Sequence, residues 1–140
     1  MRVGTEDSMA MHHHGLGTWM RNNWGLWSEG PLARHFQERG IDHPDDMSSI
    51  ILTSLWREMN GQPLRVEEQI AKHKQWWIDT AYPEDAVCPI HGAKLEHCGA
   101  TGLSQEPRKW VHNYRCEGNA ETWHWQADRG FFQADEVKQR

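Results

Sequence analysis

The stretch HPDDMSSIILTSLWREMNG, residues 43–61, does most to narrow what this chain can fold into. It reads as one helix with both ends marked. Pro44 suits a first helical turn, where a missing N–H costs nothing. Asp45 and Asp46 place negative charge at the positive end of the helix dipole. Gly61 supplies the left-handed residue that ends a helix after Asn60. Between these signals Met47, Ile50, Ile51, Leu55, Trp56 and Met59 recur at helical spacing and predict one broad apolar stripe. His43 beside two aspartates invites a catalytic or metal-ligating role, but helix-start geometry accounts for the same residues without chemistry.

Two further helices flank this one. Residues 31–39 begin at a proline after Ser28-Glu29-Gly30 and end at Gly40, with Leu32, His35 and Phe36 expected inward and Ile41 following the cap. Residues 66–80 carry Val66, Ile70, His73 and Trp77 on one continuous face. Glu67 and Glu68 lie in the first turn of that helix and Lys72 and Lys74 further on, the order its dipole favours. Upstream, TWMRNNWGLW at residues 18–27 predicts a short helix and a turn. Its Trp19, Arg21, Asn22, Trp24 and Trp27 are the candidate partner-binding residues. Residues 1–14 lack periodicity and read as a flexible N-terminal arm, with His12-His13-His14 as an exposed or capping stretch.

Tryptophan is unusually abundant: nine residues, against three Phe and two Tyr. In a chain only 37% hydrophobic, with a mean hydropathy of -0.87, most of them are expected in the core or half-buried, because each removes much area from water. Residues 1–82 carry 8 basic and 11 acidic residues, and residues 83–140 carry 7 and 9, so neither half is basic. No electrostatic nucleic-acid footprint follows from such a distribution. No apolar run reaches membrane-spanning length and no signal peptide is seen. Three cysteines make an odd count, which argues against a disulfide framework and for a cytoplasmic protein.

The chain changes character near Pro83. Cys88-Pro89-Ile90-His91-Gly92 resembles the first knuckle of a zinc ribbon, in which two ligands separated by two residues reach one metal from the same side of a tight turn. Residues 110–116 read as a strand ending at Cys116, residues 123–125 begin another, and residues 130–132 form a third. A ribbon normally closes with a second ligand pair, yet Cys116-Glu117-Gly118-Asn119 lacks its second member. Cys98 is therefore taken as the fourth ligand beside Cys88, His91 and Cys116, with His97 as the alternative. Three roles compete for this segment: a structural zinc site, a ribbon that has lost its metal and holds by Trp packing, and a catalytic zinc with Glu96 or Glu117 as general base. A small β unit has little core of its own, which favours the structural role.

RNNWGLW, followed by HPDDMSSIIL and then NGQPLRVEEQI, resembles a small helical domain of unknown function found in short bacterial and phage-type proteins, over roughly residues 15–80. The resemblance implies a fold and no catalytic residues. No phosphate loop, Gly-x-Ser-x-Gly, His-Glu-x-x-His or kinase signature occurs. The expectation is thus an α+β protein: a flexible arm (1–14), a helical domain of about three helices (15–82) and a zinc-ribbon-like antiparallel β unit (83–140). The expected function is non-enzymatic interaction with a protein partner, with zinc as a structural cofactor and no membrane association. The alternatives are a nucleic-acid-associated zinc ribbon, using Lys94, Arg108, Lys109 and Arg115 with Trp110 or Trp123 for stacking, and a small metal-dependent hydrolase.

Overall fold

Among the described residues, 4–133, the computed structural model holds four α-helices followed by a four-stranded antiparallel sheet, an α+β arrangement. The helices are α1 (Thr18–Asn23), α2 (Pro31–Gln37), α3 (Pro44–Met59) and α4 (Val66–Thr80). The strands are β1 (Leu95–Thr101), β2 (Val111–Cys116), β3 (Thr122–Gln126) and β4 (Gly130–Phe132), hydrogen-bonded in that order. Two compact units divide inside α4, between Gln75 and Trp76; the composition shift at Pro83 lies further along. No helix among the described residues is long and apolar enough to cross a membrane.

In the first unit α3 starts and stops where its sequence signals lie. His43 is the N-cap, and its Nδ1 accepts the Asp45 backbone N–H at 3.2 Å. Gly61 sits at φ +65° just past the end. The apolar stripe is rotated from expectation. Met47 and Ile50 are buried and Ile51 and Trp56 half-buried, but Leu55 and Met59 are exposed, while Ser48 and Leu52 are buried. The cause is a second packing partner. One side of α3 meets Leu26, Ala33, Phe36, Ile41 and Ile70, and the other side meets Met9 and Met20 through Leu52.

That second partner comes from the segment read as an arm. Glu6–His12 forms a 3-10 helix and His13–Gly17 a π turn, and these run directly into α1. Met9 is buried, and the Glu6 carboxylate takes both Nε and Nη2 of Arg57 at 2.8 Å. Order here comes from contacts 51 residues apart in sequence, which no local periodicity reveals.

Two further inward assignments are corrected. His35 is exposed on α2, its ring perpendicular to Phe36 at 5.7 Å and its Nδ1 3.2 Å from Arg39 Nη1, while Ala33 takes the buried place beside Phe36. On α4, Ile70 and Gln69 are buried, but Trp77 is exposed. Gln69 Nε2 donates to Ser54 Oγ at 3.1 Å and to the Leu64 carbonyl at 2.8 Å, so its burial is satisfied. Tryptophan as a whole departs from expectation. Trp19, Trp24, Trp27, Trp76 and Trp77 are 45–61% exposed, and only Trp123 is fully in a core.

In the second unit the sheet is a simple meander. β1 is not among the expected strands; it carries a bulge between His97 and Gly99. The core of this unit is Ala86, Cys88, Leu95, Tyr114, Cys116 and Trp123. Tyr114 is fully buried and its hydroxyl donates to the Pro83 carbonyl at 2.8 Å. Burial, with a smaller contribution from Tyr82, pushes that phenol up to about 12.

Candidate metal centre

The two buried thiols lie in hairpin turns of the same construction. In the first, the Cys88 N–H donates to the Ala93 carbonyl at 2.7 Å and the Gly92 N–H donates back to the Cys88 carbonyl at 2.9 Å. In the second, the Cys116 N–H donates to Glu121 at 2.9 Å and the Ala120 N–H donates to the Cys116 carbonyl at 2.8 Å. The residue four places after each cysteine is left-handed: Gly92 at φ +65° and Ala120 at φ +61°. Glycine takes that conformation freely, whereas alanine is strained in it.

These turns bring Cys88, His91 and Cys116 together, with one ligand atom from each lying within 4.8 Å of the others. Cys88 Sγ is 3.4 Å from His91 Nδ1. A tetrahedral ion bound to sulfur and imidazole nitrogen holds its donors roughly 3.5–3.8 Å apart, so the group needs little closure to hold a metal ion. Both thiols are buried and His91 is exposed. Burial alone would push the Cys88 thiol up. The backbone N–H groups of His91 and Ile90 and the side chains of His91 and Cys116 outweigh it, bringing the thiol down to about 7. A site that favours thiolate near neutrality suits a cation.

The expected fourth ligands are elsewhere. Leu95 pairs with Cys116, so Cys98, three residues along β1, is carried about 10 Å from the turn. Its side chain is exposed and donates to the Glu96 carbonyl at 3.4 Å. His97 shares the face of Leu95 and Cys116 but lies two residues along β1, stacked on Tyr82 at 4.1 Å with its Nε2 3.1 Å from His112 Nδ1. Sequence reasoning missed this histidine pair, because nothing in the spacing of His97 and His112 announces a cross-strand contact.

Asn119 occupies the position after Cys116 that matches His91 after Cys88. Its Nδ2 is 3.4 Å from His91 Nδ1, and its Oδ1 accepts the Glu121 N–H at 3.1 Å. The common spacing of Cys88 to Gly92 and Cys116 to Ala120 was the signal that the two turns are equivalent.

Of the partner-binding candidates, Arg21 is corrected. It is buried, with Nε 2.9 Å from Asp45 Oδ1 and its Nη atoms donating to Ser48 Oγ at 2.8 Å and Thr18 Oγ1 at 2.9 Å. The other four are exposed: Trp19 and Trp24 pack edge to face at 6.0 Å, and Trp27 Nε1 donates to Asn22 Oδ1 at 3.1 Å. Trp123, considered for base stacking, lies in the core and offers no open face. A cleft of about 510 Å³ in the first unit is lined by Glu6, His13, His14, Ser49 and Lys72 among others, and by none of the three metal-ligating residues.

A family model described as a domain of unknown function (DUF6794) matches residues 2–59. The matched span holds both the RNNWGLW and the HPDDMSSIIL stretches and ends before the Cys-His-Cys group. Arg21, Asp45, Glu6 and Arg57, whose ion pairs order this part of the chain, all fall inside it. No curated protein and no solved structure matches the chain.

Proposed function

We propose that this is a non-enzymatic interaction protein whose second unit is held together by one zinc ion on Cys88, His91 and Cys116. The observation that carries the reading is the meeting of those three donor groups within 4.8 Å, two of them buried thiols. Two thiolates and an imidazole form a donor set that suits zinc over harder cations. The ion joins two turns that are 28 residues apart in sequence, counted from Cys88 to Cys116. Such a bond supplements a small core, a cluster of six buried residues among those described, which supports a structural role. Metal analysis of protein purified without chelators is expected to give one zinc per chain; zinc-free protein that folds identically would end this reading.

The interaction surface in this proposal is formed by Trp19, Trp24 and Trp27 with Asn22 between them. Large aromatic groups held at the surface are effective anchors for a protein partner. Trp→Ala changes at the three positions are expected to abolish partner retention in pull-downs from the native host while leaving the melting temperature in place. Retention that survives all three changes would remove the assignment.

A further inference from the structure

The two cysteine turns match position for position. Cys88 and Cys116 make the same pair of backbone hydrogen bonds, Gly92 and Ala120 share the left-handed conformation, and His91 and Asn119 are both third after their cysteine. The first turn therefore presents a thiol and an imidazole, and the second a thiol and an amide. Asn119 is poorly placed and poorly suited to act as the fourth donor. Its Oδ1 is turned to the Glu121 N–H, and the atom facing His91 is the amide nitrogen, which has no lone pair to give a cation. Beside two thiolates a neutral amide is also a weak ligand for a borderline-soft ion. Cys98 is about three residues up the strand, and His97 faces Tyr82. Both His91 and Asn119 are exposed, so solvent reaches this side of the site.

We propose that Asn119 leaves the bound metal with an exchangeable fourth position, filled at rest by water and open to one small monodentate donor such as azide, a thiolate or an imidazole. This rests on the metal reading above. Two thiolates balance the charge of a divalent ion, so either a neutral or an anionic donor can enter as the water leaves. Asn119 lines the rim of the site and is not a ligand. The centre thus differs from a closed structural site, in which four protein donors exclude exchange.

The test uses the full chain loaded with cobalt(II), whose visible d–d bands report its ligands. Stoichiometry is measured first, for cobalt and for zinc. Azide is then titrated into the wild type, into Asn119→Ala and into Asn119→Cys. The expected result is one metal per chain and a saturable band shift with azide in the wild type and in Asn119→Ala. Asn119→Cys is expected to gain thiolate-to-cobalt charge-transfer intensity, to lose the azide response and to hold zinc on the order of tenfold more tightly or better. Cobalt bands in the wild type that ignore azide at full occupancy would overturn the inference while leaving the metal reading intact. Absence of both metals at the stoichiometry step would sink the metal reading and the inference with it. Should Asn119→Cys fail to fold, the azide responses of the wild type and of Asn119→Ala decide the matter.

Discussion

Arg21 Nε lies 2.9 Å from Asp45 Oδ1, joining α1 to the first turn of α3 across 24 residues of sequence, counted from 21 to 45. The guanidinium is buried while the carboxylate side chain is 40% exposed, so the two ends of this pair are not equivalent. Removing the arginine takes one donor from Ser48 Oγ, which still donates to the Asp45 carbonyl at 3.0 Å, and leaves the partly exposed Asp45 carboxylate to solvent. Arg21→Met, which leaves no buried charge behind, is expected to cost about 1–2 kcal/mol of stability. Asp45→Asn leaves the buried guanidinium facing a neutral amide, with no solvent to compensate, and is expected to cost about 3 kcal/mol. Denaturant melts of the two variants check the ordering; equal costs would mean that the pair is screened like a surface bridge.

The three cysteines divide two to one. Cys88→Ser and Cys116→Ser each remove a thiolate from the group within 4.8 Å and are expected to abolish stoichiometric zinc binding. Cys98→Ser changes an exposed residue on β1 and is expected to leave zinc content unchanged, with a stability change within about 0.5 kcal/mol. Metal analysis of the three variants side by side gives the answer. Loss of zinc from Cys98→Ser would put that thiol back among the ligands.

Legibility follows the range of the interactions. The start and stop of α3 could be read because their causes are local: a capping side chain at His43, a proline at Pro44 and a left-handed glycine at Gly61. The Cys88–His91 pair could be read for the same reason, since a turn of four residues sets its geometry. The 3-10 segment at Glu6–His12 could not, because Arg57 orders it from across the unit. Arg21 looked like a surface group because nothing near it in sequence shows Asp45 and Ser48 waiting. Trp76 and Trp77 are adjacent on a helix, and adjacent residues do not share a face, so their abundance alone could not place them inside. Cys98 misled by proximity: it follows His91 closely in sequence, but an extended strand carries it away from the turn.

His97 and His112 give the sheet unit a pH dependence. Burial holds both imidazoles below their ordinary value, and for His112 the charge of His97 adds to the effect. Their rings meet through one nitrogen pair at 3.1 Å, a contact that needs one donor and one lone pair. Tyr82 and Tyr114 face the same pair with their rings, and Trp125 packs on His112. The folded state binds protons less readily than the unfolded chain. Stability is therefore fully present above about pH 6.5, the unfolded value, and is lost as pH falls through the lower folded values. The loss is at most about 1.4 kcal/mol per pH unit for each histidine. Melts between about pH 7.5 and about pH 5, a range that spans the unfolded value, are expected to show this decline, and His97→Gln with His112→Gln is expected to flatten it. An unchanged slope in the double variant would assign the decline to other groups.

The two turns also make opposite predictions at their left-handed residues. Ala120 at φ +61° carries a side chain in a conformation that costs about 1 kcal/mol, while Gly92 at φ +65° carries none. Ala120→Gly is expected to stabilise by roughly 0.5 kcal/mol, since the added freedom of the unfolded chain offsets part of the relief. Gly92→Ala is expected to destabilise by about 1 kcal/mol. Between the turns, Gly118 works by closeness: a Cβ there would stand 3.1 Å from the Ala93 Cβ and 3.6 Å from Cys116 Sγ. Gly118→Val forces the turns apart at the point where the thiols must converge, so it is expected to weaken zinc binding by roughly tenfold or more. Gly92→Ala strains one turn without entering the gap and is expected to affect stability more than affinity. Chelator competition and thermal melts on the same three variants separate the two effects, and a Gly118→Val variant with undiminished zinc affinity would show that the turns do not converge on the ion.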